Sequence, residues 1–400
     1  MKFIQWLTCL VVLGVAPVAA QSSVAERADA VAERAIEYLR AQQDESGGWS
    51  VRDDGPNFPA ITGLVISGML MDPDITPGDP AVAKGLAYIL SFRQSDGGIY
   101  DKVLASYNTS ICLSALTLAR DELPEADSSV EPAVAFLREL QWGSTASLPP
   151  AMVDQAKPVG KEHPFYGGVG YGSHGRPDNS NLNFWLQALQ DAGVPSDDPA
   201  VQRAVVFLER TQMLGTTNDM PYAEGSTQGG FIYSTSPSAE ADELGIGESK
   251  AGTIEETLAD GTTASRLRAY GSMTYAGFKS YAYADLKRDD PRVIAARRWI
   301  ADNYTLDENP GVGMQGYYYY LMVFSKALSA WGDRYIASRH EDMLRRHDWA
   351  AELVQKLESQ QQDDGSFQVM EDRWLESDPV LVTAYSLIAL QHARQEIQSH

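Results

Sequence analysis

The sequence predicts an all-α protein, a single (α/α)6 toroid in which six helical-hairpin repeats close an inner ring of helices inside an outer ring. Two observations predict it. One pattern recurs six times along the 400 residues: an amphipathic helix ends in an apolar pair, and five residues after the first member of that pair stands a polar residue, usually Gln. Each repeat then leads into a second helix of different character, with few charges on any face.

The first helices end at Gln43, Arg93, Gln141, Gln212, Tyr304 and Gln361. A compact glycine turn follows the first, second and sixth of them, at residues 44–49, 94–99 and 362–367. In the third and fourth units, insertions near 142–180 and 213–270 displace the turn to 166–169 and 228–231, and the fifth turn, 309–314, is degenerate. Glycine suits such a turn because it adopts positive φ without a Cβ clash. The first helix of a pair is charged on one face, as where Glu33, Arg34, Glu37 and Arg40 alternate with apolar positions. The second helices, over 61–70, 109–119, 181–192, 274–286, 316–331 and 379–393, are apolar almost all round. A helix with one apolar stripe lies outside, and one apolar all round is covered on both sides. An open solenoid is the competing arrangement, but it leaves its inner helices half solvated.

Composition bounds the function. With 32 Lys+Arg against 54 Asp+Glu the formal charge is −22, a surface that repels phosphate backbones and anionic lipid, so no nucleic acid is expected as a partner. A hydrophobic content of 44% supplies a large core. Residues 1–20 read as a signal peptide: Lys2, an apolar run over 6–15, then Val18-Ala19-Ala20 before Gln21. The run is too short to span a bilayer, and no later stretch reaches that length, so no transmembrane segment is expected after cleavage. The expected organisation is a signal peptide over 1–20 and one toroid domain over 21–400, secreted or periplasmic. Cys112 is then the lone thiol of the mature chain.

Gln-x-x-x-Gly-x-Trp/Phe stands complete at Gln43/Gly47/Trp49 and at Gln361/Gly365/Phe367. This resembles the QW signature of the prenyltransferase and squalene-cyclase repeat superfamily, whose fold is the α/α toroid of terpenoid cyclases and protein prenyltransferases. The resemblance spans about residues 24–393. The segments 270–276, 176–181 and 305–310 look like a secreted bacterial, terpene-cyclase-like branch with no established activity.

The chemistries that this resemblance implies find no complete motif. Triterpene cyclases of this kind protonate an alkene through Asp-x-Asp-Asp. Here Asp53-Asp54, Asp197-Asp198, Asp289-Asp290 and Asp363-Asp364 lack the leading Asp and read as turn residues. Prenyltransferase subunits hold zinc through Asp, Cys and His, whereas Cys112 has Ser110 two places earlier and reads as a buried thiol. None of the histidines, among them His163, His174, His340, His347 and His392, has zinc-site spacing. No cofactor and no metal are expected.

What remains is the lining of a central cavity. The loops entering the inner helices should ring one mouth, offering Asn57, Asn108, Arg176, Asp178, Asn179, Asn181, Tyr275, Gln315 and Asp378. Helix capping accounts for many such residues. Deeper, Tyr281, Tyr283 and the run Tyr317–Tyr320, from which Tyr318 is taken as a lining residue, place aromatics on two inner helices. Four consecutive residues point all round a helix, so some face the cavity and others the outer ring. Lys279 and Lys326 lie on the same two helices, and a buried Lys needs a partner, either Asp285, Glu256 or an anionic ligand, unless it snorkels to a rim.

Two functions fit. In the first, an exported protein binds a hydrophobic or aromatic-stacking small ligand, or a protein partner, through the cavity or its rim. In the second, an isomerase, lyase or transferase acts on an isoprenoid or carbohydrate held there, with a carboxylic acid as general acid. A strongly perturbed carboxyl at Asp178 or Asp378 beside a deep pocket discriminates between them.

Overall fold

The computed structural model describes residues 22–49, 58–143, 158–172, 175–340 and 343–399. The signal segment, Gln21, Asp53-Asp54, Asn57 and His174 lie outside the described residues. The outer helices are α1 (Val24–Ala41), α3 (Pro80–Ser91), α5 (Pro124–Glu139), α7 (Pro199–Thr211), α9 (Pro291–Asp302) and α11 (Trp349–Gln360). The inner helices are α2 (Pro59–Leu70), α4 (Ala105–Ala119), α6 (Asn179–Asp191), α8 (Gly271–Tyr283), α10 (Tyr317–Trp331) and α12 (Pro379–Gln398).

Burial separates the two sets as their sequences require. Helix α1 buries one stripe, Ala28, Val31, Ala32, Ala35, Ile36 and Leu39, at helical spacing, while ten of the twelve residues of α2 are buried. The inner helices pack in order from α2 through α4, α6, α8 and α10 to α12, and α12 returns to α2. Helix α1 lies against α11 and α12, so the outer ring also closes. The fold is a closed (α/α)6 toroid, not an open solenoid. Among the described residues no helix is long and apolar enough to cross a membrane.

The recurrent Gln is a staple between units. Gln43 Nε2 donates to the carbonyls of Gly47 in its own turn (2.9 Å) and Ala81 at the start of α3 (2.8 Å). Gln141 does the same to Gly167 and Ala200, and Gln212 to Gly229 and Arg292. Gln361 reaches Gly365 and Val31 of α1, joining the last unit to the first. Gly47, at φ +88°, and Gly365, at φ +90°, sit under the next outer helix, where a Cβ would run into the carbonyls of Lys84 and Arg34. No L side chain fits there. Two of the acidic pairs are caps: Asp198 and Asp290 accept backbone N–H groups at the starts of α7 and α9, each ahead of a Pro, whereas Asp364 accepts the Ser366 N–H within its turn.

Two features depart from an all-helical reading. Strands β1 (Thr253–Thr257) and β2 (Thr263–Leu267) pair antiparallel inside the second insertion. Strands β3 (Tyr335–His340) and β4 (Met343–Asp348) form a second hairpin between α10 and α11. Both lie in connections between helices, which the helical repeat pattern does not constrain.

A candidate site at the mouth of the toroid

One end of the ring holds an apolar cavity of about 280 Å³. Every inner helix contributes to it from its first two turns: Ile61, Tyr107, Phe184, Met273, Tyr319 and Tyr385. The cavity therefore sits where the six inner helices begin. Tyr107 lies 5.4 Å from Phe184, Phe184 5.9 Å from Tyr319, and Tyr319 6.0 Å from Tyr385 between ring centroids. Tyr385 and Tyr107 stand close enough to interact electrostatically, which brings this aromatic belt back on itself. Loop residues Tyr171, Tyr233, Tyr270 and Trp374 complete the wall.

Two buried carboxyls stand at this end. Glu376 lines the cavity and is 2% exposed. Its oxygens accept the backbone N–H groups of Tyr319 (2.8 Å) and Tyr318 (3.2 Å) at the start of α10. Burial pushes it up to about 7 against the pull of those N–H donors. Trp374 and Leu375, at φ 57° and 68°, deliver it. Two adjacent non-glycine residues in the left-handed region cost on the order of 1–3 kcal/mol each, which the surrounding packing must offset. Asp178 is fully buried as the N-cap of α6, accepting the Asn181 backbone N–H (2.9 Å) and the Asn181 Nδ2 (2.8 Å). Burial pushes it up to about 6, opposed by the Asn181 donors, the Arg176 charge and the Tyr233 hydroxyl.

The structure distributes the residues proposed from sequence as follows. Asp178, Asn181 and Arg176 gather behind the Tyr171 and Tyr233 wall, with Arg176 over the Tyr233 ring (5.3 Å) and paired to Glu248. Asn179 is spent on Ile232 and Thr211, and Asn108 on Val103 and Ala60. Gln315 accepts from Arg373. Asp378 caps α12, and burial raises its carboxyl. Three tyrosines turn away from the cavity. Tyr275 packs between α8 and α10 on Tyr320 and Phe324, Tyr281 donates to Gln212 (2.9 Å), and Tyr318 donates to Gln368 (2.6 Å). Of the four-tyrosine run only Tyr319 lines the cavity. Tyr317 and Tyr320 donate to the loop carbonyls of Leu306 and Thr305.

The lysines also differ from expectation. Lys279 is wholly buried, with its Nζ on Gln187 (2.9 Å) and over the Tyr283 ring (5.1 Å). Asp285 pairs with Lys287 instead, and Glu256 accepts from Ser226, Thr227 and Gln228. Burial and the charge of Lys326 push the Lys279 amine well down. Glu376, Tyr107, Phe184, Tyr319 and Tyr385 were not singled out from sequence. A usable signal exists: Ser272 and Lys279, Tyr319 and Lys326, and Tyr385 and His392 are each seven residues apart on one helix. The isolated polar residue on an apolar helix thus marks the lumen face two turns below the lining residue. Among the described residues no group of three His, Cys, Asp or Glu side chains is placed to hold a metal ion.

A closed double ring with its cavity at the N-terminal ends of the inner helices defines the class, a terpene-cyclase-like toroid. The chain is similar in shape to the type II terpene cyclase MstE from Scytonema, with a TM-score of 0.51 at 13% identity over 93% of this chain and 99% of that one. A wild-type glycosidase is similar in the same sense, with a TM-score of 0.50 at 11% identity over 94% and 100%. A stretch of 87 residues is 32% identical to drimenyl diphosphate synthase from Streptomyces showdoensis, covering 22% of this chain and 16% of the synthase. No family model matches the chain. At such identities the likeness carries the fold and leaves the substrate open.

Proposed function

We propose that this is an exported binding protein whose central cavity takes an apolar or aromatic-stacking small molecule carrying oxygen functions. The observation that supports it is the cavity itself: about 280 Å³, walled by an aromatic belt, with one carboxyl in the wall. Aromatic concavities with few polar groups are the usual form of a small-molecule site. Export through residues 1–20 is part of the proposal. Native mass spectrometry of protein purified from its own host is expected to retain an apolar species. Tyr319→Ala and Tyr385→Ala should each weaken retention roughly five- to tenfold, from about 1 kcal/mol per lost aromatic contact. An empty cavity, together with variants indistinguishable from the parent against a panel of isoprenoids and glycosides, would sink the proposal.

The enzyme reading keeps one observation in its favour. Asp178 and Glu376 are held near 6 and near 7, the range of a general acid or base working at neutral pH. The direction of the shift limits the chemistry. A carboxyl raised by burial is a weaker acid, unsuited to protonating an alkene and suited to a leaving or attacking oxygen. Conversion of a retained species in the parent, abolished by Glu376→Gln or Asp178→Asn with binding intact, would favour this second reading over the first.

A further inference from the structure

On the outer face, away from the cavity, the β3–β4 hairpin meets helix α11. Ser338 Oγ lies 2.7 Å from His347 Nε2, and His347 Nδ1 lies 2.9 Å from both oxygens of Glu352. The partners assign the protons. An ionised carboxylate only accepts, so Nδ1 carries the hydrogen and Nε2 presents its lone pair to the serine hydroxyl. Nucleophile, base and the group orienting the base thus stand in the order and at the spacing of an activated serine. The three come from three places: β3, β4 and the first turn of α11.

The surroundings are built for it. Tyr304 packs tilted against the imidazole, 4.1 Å between ring centroids, and donates its hydroxyl to Glu352 (3.0 Å), so both the ring and the carboxylate are held. His347 is 6% exposed, while Ser338 is partly exposed. His347 and Glu352 line an open cleft of about 430 Å³ together with Tyr304, Arg345 and Lys356. Ser338 is not part of its wall and reaches it through the hydrogen bond to His347. Arg345 is the cross-strand partner of Ser338 and lies two residues from His347, so the three share one face of the hairpin. Lys356 is paired with Asp307 (2.7 Å), whereas Arg345 makes no ion pair among the described residues and leaves its guanidinium for an oxyanion.

We infer that Ser338, His347 and Glu352 form a second site, independent of the central cavity, that hydrolyses carboxylic esters through an acyl-serine. The Ser338 hydroxyl proton passes to His347 Nε2 as Oγ attacks the ester carbonyl carbon. The tetrahedral oxyanion faces Arg345. The C–O bond to the alcohol breaks, and His347 returns the proton to the departing alkoxide. Water, deprotonated by the same nitrogen, then attacks the acyl-serine and releases the carboxylic acid, with the proton restored to Ser338. Ser338 and His347 are the catalytic residues, and Glu352 is a positioning residue that fixes the tautomer.

The test is covalent labelling of the full chain with a fluorophosphonate, read by intact mass and by mapping the modified peptide. One phosphonyl adduct per chain, on Ser338, is expected. Ser338→Ala should abolish it while the chain stays folded, since one hydroxyl and its hydrogen bond to His347 are all that is lost. His347→Gln should slow labelling by about 10²–10⁴-fold. Glu352→Gln should slow it as well and Glu352→Asp should recover part of the rate, which a merely structural contact between hairpin and helix would not do. An unlabelled Ser338 in folded protein, or labelling as fast in His347→Gln as in the parent, would overturn the proposal.

Discussion

Glu376→Gln separates the cost of a buried carboxylate from the structure around it. Glutamine keeps the size of the protonated acid, and its one carbonyl oxygen can accept from the Tyr319 N–H. Its NH2 replaces the oxygen that accepts from Tyr318, a lost bond whose cost is the same at every pH. The carboxyl moves from an ordinary 4.5 to about 7 on folding. At about 1.4 kcal/mol per pH unit that is worth roughly 3 kcal/mol. The sign follows from proton binding. Below about 4.5 the acid is neutral whether folded or unfolded and contributes no difference. Between 4.5 and about 7 the unfolded chain releases the proton and the folded chain keeps it, so folding loses stability as pH rises. Above about 7 the loss is complete. Glutamine carries no such proton. Urea midpoints measured in parallel from pH 4.5 to 8 should therefore show the variant gaining on the parent by roughly 3 kcal/mol across that window. A stability difference that stays constant from pH 4.5 to 8 would falsify the assignment of Glu376 as a buried, destabilising anion.

Other substitutions test the frame. Trp49, 1% exposed with its indole N–H on the Leu39 carbonyl (2.7 Å), and Phe367, 1% exposed against Tyr318, occupy matching turns of the first and last units. Truncating either to Ala should cost roughly 3–5 kcal/mol in denaturant titrations. Cys112 is buried and burial pushes its thiol up, so a thiol reagent should modify native protein far more slowly than unfolded protein. Lys279 is buried with no carboxylate bonded to it among the described residues, so Lys279→Met should leave stability at pH 7 equal or higher. A loss of several kcal/mol would show an ion pair instead.

The ring was legible because its causes are local and repeated. Gln43, Gln141, Gln212 and Gln361 each make the same two bonds, and each needs a glycine carbonyl at its own turn and a carbonyl at the next helix. Such requirements leave marks at fixed spacing. The cavity was less legible because lining it is a matter of helical phase. Tyr318 and Tyr319 are adjacent and chemically identical, yet one donates to a loop carbonyl and the other faces the lumen. Glu376 left no mark at all. Its burial depends on a left-handed pair, Trp374 and Leu375, that no glycine or asparagine announces. The triad residues are far apart in pairing logic: a helical repeat gives no reason to expect a hairpin over 335–348, so Ser338 and His347 read as isolated polar residues.

The inner helices also sort titratable groups along the ring, and this bears on what the cavity favours. All six begin at the cavity end, where their N–H groups and aligned dipoles give each terminus about half a positive charge. Asp178, Glu376 and Asp378 all stand at these termini. Lys279, Lys326 and His392 each lie two turns, roughly 10 Å at 1.5 Å per residue, beyond the lining residues Ser272, Tyr319 and Tyr385 of their helices. The carboxyls therefore occupy the helix ends that favour an anion, yet burial pushes Asp178 and Glu376 up to about 6 and about 7. Burial also lowers the Lys279 and Lys326 amines and brings His392 down to about 3, so that imidazole is neutral. Near pH 5 both carboxyls are neutral and the helix termini are uncompensated, so a ligand presenting an acceptor or anionic oxygen meets donors and positive dipoles. Near pH 8 the same oxygen meets a carboxylate in the wall. Such a ligand should bind tighter at pH 5 than at pH 8, and Glu376→Gln should remove most of the difference. Affinity that is independent of pH in the parent, measured by calorimetry, would place the ligand's oxygen elsewhere than against Glu376.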